Sequence, residues 1–266
     1  RRAMRPDAAK TDADATKRHV EDGARIVACA PGSTSVVLQM PRGNLETVAP
    51  KALVLPAVAC ALRAGRYADA YALAAKQRVD LNLIVDYGWP NFIEAAEAFV
   101  RDVNSADAIM ELLEALDDVD VTAKGGIYEE LARLYPPRVT PPSDASDDNC
   151  ITTQSKTDKV CVAIRRAIEA HDAGGRWELA ALTSYAAGDA PDLSAALRRV
   201  AVLRESELAH ATQNTLNVDT RRGARDDSVN AAAALKHLLF LVGGPTLYAA
   251  ALGTYDLSLA YLVAQH

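Results

Sequence analysis

Phe92-Ile93-Glu94-Ala95-Ala96-Glu97-Ala98-Phe99-Val100-Arg101-Asp102-Val103 is the stretch on which the reading of the fold turns. Phe92, Ala95, Ala96, Phe99, Val100 and Val103 recur at steps of three and four, which lines them up on one stripe of a helix with about 3.6 residues per turn. The same spacing returns at Ile109, Leu112, Leu113 and Leu116, at Leu193, Ala196, Leu197, Val200 and Leu203, and at Leu235, Leu238, Leu239 and Val242. Each series predicts an amphipathic helix with one buried stripe, and no convincing strand is expected after Pro41.

Composition agrees. Half of the 266 residues are hydrophobic but only 5% are aromatic, so the core must be built from Ala, Leu and Val, which suits closely packed helices. The run Ala64-Gly65-Arg66-Tyr67-Ala68-Asp69-Ala70-Tyr71-Ala72-Leu73-Ala74 has the turn, aromatic and small-residue order of tetratricopeptide-like helix pairs. The period is not strict elsewhere. The expected fold is therefore mainly α, an irregular α-solenoid of helix hairpins in which each pair buries its stripe against its neighbours.

Upstream, Arg25-Ile26-Val27-Ala28-Cys29 and Ser35-Val36-Val37-Leu38-Gln39-Met40 are β-rich runs joined by the turn residues Pro31-Gly32-Ser33-Thr34, a predicted β-hairpin. The domain reading is a flexible arm over 1–19, terminal strands over 20–46, and an α-solenoid over 47–266. Two polar or Pro-rich segments, near 135–157 and 211–227, are expected to be mobile loops within it.

The formal charge of −6 and pI near 5.4 argue against a chain that grips phosphate backbones by bulk electrostatics. Cys29, Cys60, Cys150 and Cys161 lie far apart with no C-x-x-C pair, as expected for reduced thiols in the cytosol or nucleus. The five histidines form no pair at metal-ligand spacing, so no metal site is expected. Gly32-Ser33-Thr34-Ser35 reads as a hairpin turn rather than a nucleophile elbow. The pairs Gly125-Gly126, Gly174-Gly175 and Gly243-Gly244 lack the Lys and Ser/Thr of a phosphate loop and read as helix-ending turns. Asp117, Asp118 and Asp120 read as a solvated loop. The pairs Arg165-Arg166, Arg198-Arg199 and Arg221-Arg222 would suit RNA phosphates if the fold aligned them. Neither a catalytic nor a cofactor site is expected, and the chain is read as not an enzyme. No apolar run of about 18 residues suggests a membrane span, and the charged opening residues do not resemble a signal peptide. An apolar helical pattern still running at Val263 and Ala264 reads as part of something longer.

Three strings make the reading specific. The first is Gly23-Ala24-Arg25-Ile26-Val27 followed by Val37-Leu38-Gln39-Met40-Pro41-Arg42-Gly43-Asn44-Leu45-Glu46. The second is Lys76-Gln77-Arg78-Val79-Asp80-Leu81-Asn82-Leu83-Ile84-Val85-Asp86. The third is Ala234-Leu235-Lys236-His237-Leu238-Leu239-Phe240-Leu241-Val242 with Ala251-Leu252-Gly253-Thr254-Tyr255-Asp256-Leu257. Together they closely resemble the largest subunit of the Elongator complex, over roughly Gly23 to His266. Two positions depart from that family's pattern: Gly243-Gly244-Pro245-Thr246 precedes Leu247-Tyr248 in place of Asp-x-Asn-Glu, and Tyr87-Gly88-Trp89-Pro90 follows Asp86 in place of the commoner Asn-Pro form.

The resemblance implies that the hairpin is the end of the second of two WD40-type propellers, after which the chain enters a long solenoid. It implies a non-catalytic scaffold supporting modification of tRNA wobble uridines; the alternative, raised by the arginine pairs, is an RNA-binding helical module that contacts tRNA directly. Its partners would be the catalytic subunit and a second propeller subunit, with tRNA reached indirectly, no membrane, and dimerisation in a part of the subunit outside this segment. The expected compartment is the cytoplasm, with the nucleus second. The family signature falls on Pro41, Arg42, Gly43, Asn44, Leu45 and Glu46, on Asp80, Asn82 and Asp86, and on Gly253, Thr254, Tyr255 and Asp256. Pro41 and Gly43 are read as forcing the chain out of the strand, with Arg42 and Glu46 pinning a hinge between sheet and solenoid. Gly253 to Asp256 are read as ending one helix and starting another, with Thr254 or Asp256 as the cap.

Overall fold

The computed structural model describes residues 20–138, 155–171, 175–216 and 229–265, with side chains of 210–216 left aside. Among these residues the chain is mainly helical, with twelve helices after a small sheet. The strands are β1 (Arg25–Cys29), β2 (Val36–Gln39) and β3 (Leu45–Val48). The helices are α1 (Lys51–Arg63), α2 (Tyr67–Lys76), α3 (Asn82–Asp86), α4 (Phe92–Val103), α5 (Ala106–Ala115), α6 (Glu129–Leu134), α7 (Lys156–His171), α8 (Glu178–Ala186), α9 (Leu193–Leu216), α10 (Ala231–Val242), α11 (Gly244–Gly253) and α12 (Leu257–Ala264).

The sheet is an antiparallel meander in the order β1-β2-β3, with Val36 opposite Cys29 and Val48, and Gln39 opposite Arg25 and Leu45. Period-two alternation buries Val36, Leu38 and Met40 together, against Ala24 and Val48. β3 corrects the expectation that no strand follows Pro41. Gly43 donates to the Met40 carbonyl and Met40 to the Asn44 carbonyl, both at 2.8 Å, with Gly43 at φ +88, so the chain turns back into the sheet. The signature from Pro41 to Asn44 is thus a tight turn inside the sheet. The change to helix comes later, at Ala49 and Pro50, where Pro50 sits in the extended N-cap position of α1. β3 is only four residues long, with its Leu45 exposed, so its alternation carries little signal until β2 lies beside it.

The chain forms two compact units. The first takes residues 20–89 and 119–138 of the described chain and holds the sheet, α1, α2, α3 and α6. α1 and α2 pair as a helix hairpin. Gly65, at φ +70, closes the turn, and the small residues Ala70 and Ala74 on α2 are fully buried along with Val54, Val58 and Ala59 of α1. This is the tetratricopeptide-like run read from the sequence.

The second unit holds α4, α5 and α7 to α12. Phe92, Ala96, Phe99 and Val100 form the buried stripe of α4, with the two rings 5.5 Å apart between centroids at 59°. Asn104, in the left-handed conformation at φ +47, ends α4, and Ser105 caps α5 through the Ala108 N–H. The main neighbours of α4 and α5 are not each other: α4 packs on α7 and α5 on α8, so helices are layered across a long sequence separation. α10 and α11 meet at a 114° bend, with Gly243 at φ +88 between them. Ala211 to Leu216 continue α9 and Lys156 to Thr157 begin α7, while most of the two expected loops lies outside the described residues, as does the expected arm over 1–19.

Phe99 is fully buried, whereas Phe240 is 84% exposed. Phe99→Ala is therefore expected to cost about 3–5 kcal/mol in urea unfolding, while Phe240→Ala changes stability by no more than about 0.5 kcal/mol.

Candidate functional site

The second signature string folds into a polar joint within the first unit. Asp80 Oδ1 accepts from the Asn82 backbone N–H at 3.0 Å and from its side-chain amide at 2.9 Å, an Asx turn that opens the short helix α3. The Asp80 N–H donates to the Tyr128 hydroxyl at 3.0 Å. At the other end of α3, Asp86 is only 4% exposed, and its Oδ2 accepts from the Val121 N–H at 2.8 Å. The Tyr87 hydroxyl donates to the Tyr135 carbonyl, and burial raises its pKa, as it does that of Tyr128. Gly126 is required here by close approach, because a Cβ at that position would lie 2.5 Å from the Val121 carbonyl oxygen. Asp80, Asp86 and Tyr87 thus tie residues 121–135 onto α3, while Asn82 closes the Asx turn. Their respective partners Tyr128, Val121 and Tyr135 were missed by sequence reasoning, because they lie 35 to 48 residues away.

The third string makes a helix junction in the second unit. Thr254 follows the end of α11, its hydroxyl donating to the Ala251 carbonyl at 2.6 Å. Asp256 opens α12, its Oδ1 accepting from Ser258 N–H at 2.9 Å, Leu259 N–H at 3.2 Å and the Ser258 hydroxyl at 2.7 Å. The Ser258 hydroxyl bond leads the causes that hold the Asp256 carboxyl below its ordinary range. Both candidate caps are used, one at each helix end. Tyr255 between them is left-handed at φ +59 and 94% exposed.

The first string stays on the sheet. Arg42 is exposed and Glu46 half-buried, and neither makes a side-chain hydrogen bond or ion pair among the described residues. The first and second signatures thus belong to the first unit, one on the sheet and one at α3, and the third to the second unit.

A fourth set of polar groups, not singled out from the sequence, lies on α8. This helix packs on α5, α7, α9 and α10, and buries Glu178, Thr183 and Ser184. Each of these reaches a different neighbour. Glu178 accepts from Arg199 of α9 at 2.6 and 3.0 Å, a two-pronged pair to which Glu169 of α7 adds a contact at 3.2 Å. The Thr183 hydroxyl donates to the Leu179 carbonyl at 2.9 Å and meets Nε2 of His237 on α10 at 2.8 Å. Ser184 takes Nε of Arg165 on α7 at 3.1 Å through its hydroxyl and Nη2 at 2.8 Å through its carbonyl, while the guanidinium stacks 3.6 Å from the centre of the Tyr185 ring. The available signal was a helix apolar on nearly every side, in which any polar residue must be partnered.

These contacts engage one arginine from each of two pairs, leaving Arg166 and Arg198 at the surface, and Arg221-Arg222 lies outside the described residues. The Asp cluster is more than a solvated loop. Asp118 Oδ1 accepts from Thr157 N–H at 3.0 Å and its hydroxyl at 2.9 Å at the start of α7, and Asp120 Oδ1 accepts from Thr122 N–H at 2.8 Å. Partial burial opposes ionisation of Asp118, but the bonds led by the Thr157 N–H outweigh it and hold the carboxyl low. Its hydrogen bond to Asp189 raises the pKa of the latter. A recess of about 250 Å³ is lined by Asp158, Cys161, Arg165, Ser184, Tyr185 and Asp192. Burial pushes the Cys161 thiol up to about 12, so at neutral pH it is a protonated, poor nucleophile. Among the described residues, no group of three or more His, Cys, Asp or Glu side chains is placed to hold a metal ion.

Comparison with known proteins gives one family. The model of the ELP1 alpha-solenoid family matches residues 51–266. Elongator complex protein 1 of Arabidopsis thaliana is 36% identical over 257 residues, covering 92% of this chain and 18% of the relative. A putative Elongator complex protein 1 of Xenopus laevis is 34% identical, covering 95% and 19%. That of Schizosaccharomyces pombe is 32% identical, covering 95% and 18%. The chain therefore spans less than a fifth of the length of these relatives.

Removing the acceptor at Asp86 leaves a buried N–H on Val121. Asp86→Ala is expected to destabilise the first unit by about 1–3 kcal/mol, read as faster hydrogen exchange at the Val121 amide, and Asp86→Asn, which keeps an acceptor oxygen, loses less. Burial lowers the pKa of His237, although Glu114 partly opposes the shift. The unfolded chain then binds a proton there more readily than the folded one. This contribution to stability is complete above the ordinary histidine value of about 6.5 and is lost as pH falls toward the lower folded value. Thermal unfolding followed from pH 7.5 down to 5.5 should show that loss, and His237→Gln should reduce it.

Proposed function

This chain belongs to the Elongator complex protein 1 family, and from that premise we propose that it is a non-catalytic scaffold segment of an Elongator complex, supporting modification of wobble uridines in tRNA. The observation that carries the reading is the α-solenoid match over 51–266. The geometry supports it. Buried Asp86 and Glu178 and half-buried His237 are spent on a backbone N–H, on Arg199 and on Thr183, which is what holding helices in register demands. The partners in this reading are the catalytic subunit and a second propeller subunit. tRNA is reached through them, the full subunit dimerises elsewhere in its length, and the complex works in the cytoplasm, with the nucleus as a second compartment.

Tagged full-length protein purified from its own cells, with mass spectrometry of what stays bound, tests this directly. Recovery of the other Elongator subunits is expected, and an unrelated partner set would overturn the proposal. Direct RNA binding is the competing reading, disfavoured because Arg165 and Arg199 are engaged within the fold. tRNA titrated onto this chain alone at 50 and 200 mM salt should bind weakly at both. A fall in affinity of about a thousandfold or more, as six or more phosphate contacts would give, would favour the RNA-binding module instead.

A further inference from the structure

We draw no further inference here: the strongest candidate, the set of exposed apolar side chains formed by Phe240 on α10, Tyr255 between α11 and α12, and Leu257 and Tyr261 on α12, carries nothing, because nothing in the structure shows what covers it.

Discussion

Three buried polar side chains on α8 set the register of the second unit. Apolar packing alone tolerates sliding, because Ala and Leu stripes fit one another at several offsets. Glu178, Thr183 and Ser184 remove that freedom, since each has a directional partner on a different helix: Arg199 on α9, His237 on α10 and Arg165 on α7. A shift of one helical turn, about 5.4 Å, would leave these groups buried and unpaired. Leu182 on the same helix lies fully buried among Ala196, Leu197 and Leu235, so the apolar and polar contacts support one arrangement.

The first unit solves a related problem with fewer helices. Its chain is discontinuous, and residues 119–138 must be held beside α3 although α4 and α5 intervene in sequence. Closing that loop carries an entropy cost that grows only slowly with its length. The bonds from Asp86 to Val121 and from Asp80 to Tyr128, together with buried Val121, Tyr128 and Leu131, offset it. The family signature at Asp80, Asn82 and Asp86 is here a set of helix-opening and segment-joining bonds. The same holds for Asp256, whose Oδ1 accepts three hydrogen bonds from the first turn of α12.

The buried polar groups Asp86, Glu178, Thr183 and Ser184 face inward where helices meet, while acidic side chains such as Glu94, Glu97 and Glu111 lie on solvent-facing helix surfaces. The low aromatic content has a structural consequence: fully buried Ala59, Ala70, Ala180 and Ala234 let helix backbones approach closely.

By itself, the sequence determined the helical class, the buried faces of α4, α5, α9 and α10, the helix pair around Gly65, and the family. Each of these is written in residues within a few turns of one another, where a period of 3.6 or a run of identities is visible. Tertiary structure alone decided the third strand, the pairing of α4 with α7 and α5 with α8, and the partners of Asp86, Glu178 and His237. β3 carries too little alternation to stand out without β2 beside it, and Leu116, expected on the stripe of α5, falls just past its end in an extended conformation. Hydrogen bonds between residues 21 to 54 positions apart, as at Arg199 and His237, leave no local periodicity. They depend on which helices become neighbours, and that is set by the packing of the whole unit.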